Sequence, residues 1–297
     1  MDDRFRGLGV ALVTPFAPKG NIDHAALERL IEHQITLGVD YVVSMGTTGE
    51  SATLTAQEKT QLLGQTIEIV RHRVPIVLGV GGNNTAEVVE ALRHFDLSDV
   101  DGILSVSPYY NKPTQEGIYQ HYKAIAQASL LPIILYNVPG RTASNIKAET
   151  TLRLARDLKN IVAIKEASGD LGQIATILKH RPKDFLVISG DDALTLPIIA
   201  LGGDGVISVV GNALPGEFGR LVHAALKGDL DTARAEHCRL LELIDLIFVE
   251  GNPGGVKEVL KVLGICDNTL RLPLVPVSEA TAKELYHALA DAEVVKL

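Results

Sequence analysis

Short apolar runs recur along the chain and are separated by segments in which apolar residues return every three or four positions. The runs have the length of strands and are nearly continuous in apolar residues, which is typical of strands buried on both faces of a parallel sheet. We predict eight strands, at residues 8–13, 41–44, 76–78, 102–106, 133–136, 162–165, 185–189 and 205–210.

The segments between the strands have the periodicity of amphipathic helices. Leu27, Leu30 and Ile31 share one face of the first. The second begins with Thr55 and Glu58 in the spacing of a capping box, in which both side chains satisfy free backbone donors. Eight strands alternating with helices predict an α/β fold, a (β/α)8 TIM barrel. An open doubly wound sheet is the alternative, but its usual Gly-x-Gly-x-x-Gly first turn is missing.

The chain changes character after about residue 215. Strand patterns stop there, and helical periodicity continues, for example at Leu240, Leu243 and Ile244. We therefore predict a catalytic barrel over residues 1–225 and a C-terminal helical domain over residues 226–297.

Composition narrows the classes of function. Of 297 residues, 46% are hydrophobic and 22% are charged, as in a soluble globular protein. The net charge of −8 argues against a nucleic-acid or anionic-membrane partner. The charged start at residues 1–6 lacks the apolar core of a signal peptide, and no later run has membrane length. We expect a cytoplasmic protein.

Metal and nucleotide sites are not supported. The two cysteines, Cys238 and Cys266, lie far apart in sequence and are expected to be free thiols. The nine histidines show no metal-ligand spacing. The glycine-rich segment 79–84 lacks the Gly-Lys-Ser/Thr ending of a phosphate loop and is expected only to shape the turn into the next helix.

Candidate chemistry lies where predicted strands end, because TIM-barrel active sites occupy the C-terminal ends of the strands. Lys165 ends the sixth strand, where a buried amine needs a partner or a function. Desolvation favours the neutral amine, which attacks carbonyls to form a Schiff base. The alternative is a lysine that extends to water from the end of the strand.

Other strand ends carry further polar groups, each with two interpretations. Thr47 and Thr48 form either an ordinary turn or a cradle for a small carboxylate. Tyr136 either reflects the preference of tyrosine for strands or relays protons. Arg141 is either solvated or binds a second carboxylate. The tyrosine pair 109–110 suits either core filling or a subunit contact.

Together these segments resemble the dihydrodipicolinate synthase family of pyruvate-dependent class I aldolases. The matching segments are residues 46–51, 109–111, 136–142, 164–167, 186–192, 205–208 and 268–273. The resemblance runs from end to end of the chain. It implies a TIM barrel with a C-terminal helical domain and a homotetramer built as a dimer of dimers. It also implies condensation of pyruvate with L-aspartate-4-semialdehyde, the first committed step of lysine (diaminopimelate) biosynthesis.

The resemblance assigns catalytic roles by position. Lys165 would form the imine with pyruvate, and Tyr136 would relay protons. Thr47 would pass protons between Tyr136 and a tyrosine of the neighbouring subunit, which corresponds to Tyr110. No metal or dissociable cofactor is implied, because pyruvate is held as a covalent imine on Lys165.

Substrate-binding roles follow from the same resemblance. Thr48 would hold the pyruvate carboxylate through its backbone and hydroxyl, beside the backbone carbonyl of Ile207. Arg141 would bind the carboxylate of L-aspartate-4-semialdehyde.

The resemblance also implies a possible lysine effector site at the interface of the tight dimer. Its pattern is matched by Ser51, Ala52, Asn83, Glu87 and Tyr109. Ala56 and Lys59, however, stand where many lysine-sensitive members have histidines. Because Lys59 adds a positive charge near a cationic ligand, we expect weak or absent inhibition by lysine.

Two other functions remain as alternatives. N-acetylneuraminate lyase and the keto-sugar-acid aldolases share the barrel, the tyrosine and the lysine, but they generally lack the double threonine and the arginine at positions 47, 48 and 141. A barrel retained only as a metabolite-binding module would lack a catalytic residue, and none is missing from this pattern.

Overall fold

The computed structural model describes residues 3–295, and its parallel strands close into a barrel in which chain neighbours are sheet neighbours. Met1, Asp2, Lys296 and Leu297 lie outside the described residues. The strands are β1 Gly7–Ala11, β2 Tyr41–Ser44, β3 Ile76–Gly79, β4 Gly102–Val106, β5 Ile133–Asn137, β6 Ile161–Glu166, β7 Leu186–Ser189 and β8 Gly205–Ser208. Because β8 pairs with β1, the predicted TIM barrel is confirmed.

Helices follow every strand and then form a group of their own. Those of the barrel are α1 His24–Thr36, α2 Ala56–Val70, α3 Thr85–His94, α4 Gln115–Ala128, α5 Pro139–Thr142, α6 Ala148–Asp157, α7 Leu171–His180, α8 Thr195–Ala200 and α9 Pro215–Leu226. After the last strand come α10 Leu230–Phe248, α11 Gly254–Val262 and α12 Glu279–Asp291. The domain boundary at residues 225/226 stays a prediction; it falls at the end of α9.

The predicted capping box is present at the start of α2. The Thr55 side chain accepts a hydrogen bond from the Glu58 backbone, and the Glu58 carboxylate accepts one from the Thr55 backbone at 2.9 Å. The segment 79–84 leads into α3, whose first turn is capped by the side chain of Asn84. It therefore shapes a turn, as the sequence indicates.

The alternation of side chains along each strand divides the core into two parts. In β6, Ile164 belongs to the large core between the barrel and the helices, whereas Ala163 belongs to the smaller core inside the barrel. By the same alternation Lys165 faces the interior and Glu166 faces the helices. Lys165 is thus buried inside the barrel, at the C-terminal ends of the strands.

A bulge between β5 and β6 determines which residues lie side by side at the rim. Ile133 pairs with Ile161, but the next residue, Ile134, pairs with Ala163, so β6 has one extra residue. From there the register continues without a further shift and places Tyr136 beside Lys165. Two residues that lie far apart in sequence are thereby fixed next to each other.

The C-terminal helices are tied to the barrel by a buried ion pair. The Nζ of Lys257 in α11 lies 2.5 Å from Oε1 of Glu50, and both side chains are fully buried. Lys257 also donates to the Thr269 carbonyl at 2.8 Å, while the Arg271 backbone donates to the other Glu50 oxygen at 3.0 Å. The centroid of the Phe16 ring lies 4.4 Å from the Nζ of Lys257 and 4.4 Å from the guanidinium carbon of Arg271. These contacts hold α11 against the loop that follows β2.

None of the helices of residues 3–295 is both long enough and apolar enough to cross a membrane. Cys238 is exposed and Cys266 is buried, and both are free thiols.

Candidate active site

Lys165 is buried at the rim and lies over an aromatic ring. It is 5% exposed, and its Nζ lies 4.5 Å from the centroid of the Tyr136 ring. Within residues 3–295 no carboxylate pairs with this nitrogen. An amine nucleophile must lose its proton before it attacks, and a nearby carboxylate would oppose that loss. The arrangement therefore suits a nucleophile better than a structural ion pair.

The next residue along the strand, Glu166, is buried on the opposite face. Its carboxylate accepts hydrogen bonds from Asn137 Nδ2 at 2.7 Å, Gln173 Nε2 at 2.8 Å and the Ser168 backbone at 3.1 Å. Burial raises the pKa of Glu166. This carboxylate stabilises the loop after β6 and stays away from the Lys165 amine.

Space for the Lys165 side chain comes from Gly190, just after β7. A Cβ atom at position 190 would lie 2.9 Å from Cε and 3.1 Å from Cγ of Lys165, and 2.8 Å from Cβ of Ala167. The separations from Ala167 Cβ and Lys165 Cε are shorter than carbon atoms tolerate without moving. Glycine at this position therefore sets the path of the lysine side chain.

The turn after β2 offers free backbone donors. The N–H groups of Gly49 and Glu50 bond to the carbonyls of Gly46 and Thr47 at 3.1 and 3.0 Å. Within residues 3–295 the N–H groups of Thr47 and Thr48 have no acceptor. Consecutive free amides in a turn form a concave anion-binding surface. The turn can therefore hold a carboxylate, as the sequence predicts.

A cavity of about 990 Å³ opens beside this turn. Its wall includes Thr47, Tyr136 and Arg141, so the structure brings these predicted residues together. Lys165 and Thr48 are not part of the wall itself. Lys165 is in contact with Tyr136, and Thr48, which is 3% exposed, accepts a hydrogen bond from a wall residue, Asn252, at 3.0 Å.

Tyr110 does not line its own cavity. Its side chain is 87% exposed, its φ is +72°, and its backbone N–H donates to the Thr142 carbonyl at 3.3 Å. Tyr109, by contrast, is 41% exposed and belongs to the cavity wall. An exposed phenol outside the wall of its own cavity is accessible to another subunit.

Ile207 lies in β8 and its side chain is buried inside the barrel. The loop that follows is held by Asp192, whose carboxylate accepts hydrogen bonds from the backbones of Val209 and Val210, each at 3.0 Å. Burial raises the pKa of Asp192. Asp192 is a further buried residue of this rim, and no pattern in the sequence singles it out.

The residues of the predicted effector site are only partly assembled in this chain. The large cavity extends to Ser51, Ala52 and Tyr109, and also to Ala56 and Lys59. Asn83 and Glu87 are outside the cavity wall. Asn83 donates to the Tyr109 carbonyl at 3.2 Å, and the exposed Glu87 accepts from Asn84 at 2.9 Å.

Sequence reasoning misses two parts of the site, Gly190 and Asn252. Asn252 lies just before α11, which begins at Gly254. The Asn252 side chain, however, bonds to Thr48 across 204 positions of sequence. No local pattern signals such a contact.

Comparison with known proteins gives a consistent result over the whole chain. Residues 4–292 match the model of the dihydrodipicolinate synthetase family. A 4-hydroxy-tetrahydrodipicolinate synthase of Azobacteroides pseudotrichonymphae is 55% identical, over 96% of both chains. The dihydrodipicolinate synthase structure of Thermotoga maritima superposes with a TM-score of 0.96 at 43% identity, over 98% of this chain and 100% of that chain. The chloride-inhibited dihydrodipicolinate synthase of Acinetobacter baumannii, complexed with pyruvate, has a TM-score of 0.95 at 41% identity, over 98% of this chain and 99% of that chain.

Replacement of Gly190 by alanine tests the packing around Lys165. We expect Gly190→Ala to lower turnover of pyruvate and L-aspartate-4-semialdehyde roughly 100-fold, because a displacement of about 1 Å at a reacting group has that effect. Gly64→Ala in α2 is the matched control, since a Cβ there meets nothing within 4 Å. Unchanged steady-state turnover in Gly190→Ala would show that Lys165 does not need this space.

Proposed function

The chain belongs to the dihydrodipicolinate synthetase family, and we propose that it is a 4-hydroxy-tetrahydrodipicolinate synthase. This enzyme is a lyase that condenses pyruvate with L-aspartate-4-semialdehyde in the first committed step of lysine (diaminopimelate) biosynthesis. The observation that carries the proposal is the Lys165 amine over the ring of Tyr136, a residue that lines one cavity together with Thr47 and Arg141.

The reaction would begin with a Schiff base on Lys165. Its Nζ attacks the C2 carbonyl of pyruvate, and loss of the carbonyl oxygen as water gives the imine. That oxygen must receive protons as it leaves, and we assign this role to the phenol of Tyr136, whose ring centroid lies 4.5 Å from the amine. Thr47 and Tyr110 of the partner subunit would complete the proton path.

Carbon–carbon bond formation would follow from the charge of the imine. The protonated nitrogen withdraws electrons, so the pyruvate methyl group loses a proton and the resulting enamine attacks the aldehyde carbon of the second substrate. Attack of that substrate's own amine on the imine carbon would close the ring and release Lys165. The enzyme therefore returns to its starting state without an external redox partner.

The two carboxylates would be bound at separate places. The free amides of Thr47 and Thr48 suit the small carboxylate of pyruvate, and the backbone carbonyl of Ile207 would lie beside it. Arg141 is exposed at the cavity rim, where its guanidinium can bind the carboxylate of the semialdehyde. A chain with a net charge of −8 needs such local donors for anionic substrates.

Members of the family need no external cofactor. Here the covalent imine on Lys165 would take that role. We propose a homotetramer, a dimer of dimers, in the cytoplasm, with no nucleic-acid or membrane partner. Support for a subunit contact comes from exposed apolar side chains near the cavity, which are Tyr109, Tyr110, Leu272, Leu274 and Val275.

A coupled assay tests the proposed reaction directly. We expect turnover with pyruvate and L-aspartate-4-semialdehyde and no cleavage of N-acetylneuraminate by the same preparation. Arg141→Ala should raise the KM for the semialdehyde about tenfold or more and leave the KM for pyruvate nearly unchanged. Cleavage of N-acetylneuraminate without condensation would contradict the proposal and favour the sugar-acid aldolases.

Mixing two inactive variants tests whether Tyr110 acts in a partner subunit. A dimer formed from one Tyr110→Phe and one Lys165→Ala subunit has one site with both native residues. Because Tyr110 is exposed and does not line its own cavity, we expect the mixture to recover activity. Each variant mixed with itself is the control, and hybrid formation is checked by native mass spectrometry. No recovery in proven hybrids would place Tyr110 outside the partner's site.

Titration of lysine tests the possible effector site. We expect weak or absent inhibition, because two unit charges about 6 Å apart repel by about 3 kcal/mol at an effective dielectric of about 20. Lys59→Ala should then increase sensitivity to lysine, and the equally charged Lys59→Arg should not. Strong inhibition of the unmodified enzyme by sub-millimolar lysine would show that Lys59 does not repel the effector.

A further inference from the structure

Asn252 connects the C-terminal helices to the proposed pyruvate site. Its side chain is 7% exposed and belongs to the cavity wall, and its Nδ2 donates to Thr48 Oγ1 at 3.0 Å. Within residues 3–295 its Oδ1 is buried and has no hydrogen-bond partner. Thr48 is therefore the one group in that range that orients this amide.

The hydrogen bond fixes the direction of the Thr48 hydroxyl. A threonine hydroxyl has one hydrogen and two acceptor lone pairs, whereas an amide NH2 can only donate. When Nδ2 of Asn252 occupies one lone pair, the hydroxyl hydrogen must point elsewhere. No acceptor within residues 3–295 receives it. The hydroxyl is left with a hydrogen to donate, in the same turn as the free N–H groups of Thr47 and Thr48.

The anchor of the C-terminal helices holds this arrangement in place. Glu50 lies two residues after Thr48. Its carboxylate accepts hydrogen bonds from Lys257 Nζ at 2.5 Å and from the Arg271 backbone N–H at 3.0 Å. Lys257 lies in α11, which starts two residues after Asn252. Both ends of the Asn252–Thr48 bond are thus attached to the same buried ion pair.

We propose that Asn252 is a positioning residue for pyruvate: it orients the Thr48 hydroxyl so that its hydrogen faces the substrate carboxylate. The inference rests on the proposed function and extends it, because it makes the helical domain part of the substrate site. Asn252 acts through Thr48, so its effect should appear in pyruvate binding. Binding of the semialdehyde and thermal stability should change little.

A double-mutant cycle with Thr48→Val separates this role from a structural one. We expect Asn252→Ala to raise the KM for pyruvate about tenfold, which corresponds to about 1.4 kcal/mol, with the KM for the semialdehyde within about twofold. In the Thr48→Val background, Asn252→Ala should have almost no further effect on pyruvate. Asn252→Asp should raise the KM for pyruvate more than alanine does, because a carboxylate can only accept and repels the substrate.

Asn268→Ala is the matched control. Asn268 also donates its amide to a neighbour of the helical domain, the Glu258 carboxylate, but it does not line the cavity. We expect the Asn268→Ala variant to have the same KM for pyruvate as the unmodified enzyme. Additive effects of Asn252→Ala and Thr48→Val would overturn the inference. A lower melting temperature with both KM values raised equally would overturn it as well. Absence of activity in the unmodified protein would instead contradict the proposed function.

Discussion

The register of the closed barrel is the constraint on which the candidate site depends. In β6 a shift by one residue would exchange Lys165 for Glu166 and place a carboxylate inside the barrel. The bulge at Ile133/Ile134 sets the register between β5 and β6, and it thereby aligns Lys165 with Tyr136 in the neighbouring strand. A buried amine, a phenol beside it and a carboxylate on the far face all result from one pattern of backbone pairing.

Two buried lysines of this chain differ in whether a carboxylate pairs with them, and this difference distinguishes a structural lysine from a candidate nucleophile. Lys257 is fully buried and is stabilised by Glu50, so it serves as an anchor. Lys165 is also buried, but within residues 3–295 its amine has no carboxylate partner and lies over the Tyr136 ring. The anchor is close to the turn that contains Thr48. The charge of Lys257 is thus neutralised by Glu50 near the site, whereas the amine of Lys165 has no carboxylate partner within residues 3–295.

Much of this organisation is predictable from sequence, because strand and helix periods are local signals. The barrel, the capping box at Thr55 and the rim position of Lys165 all follow from such signals. Contacts across the fold do not. Gly190 is important because the side chain of Lys165, which is distant in sequence, occupies the space that a Cβ at position 190 would need. Asn252 is important because α11 packs against the loop after β2 and brings its amide to Thr48. The roles of Thr47, Arg141 and Tyr110 remain predictions that geometry supports.

The central claim is that Lys165 is the covalent nucleophile, and chemical trapping tests it most directly. Borohydride added with pyruvate should reduce the imine to a stable secondary amine, so mass spectrometry should find the added mass on the peptide that contains Lys165. The same treatment of Lys165→Ala should leave every peptide unmodified. An unmodified Lys165 peptide under conditions in which the enzyme turns over would contradict the account.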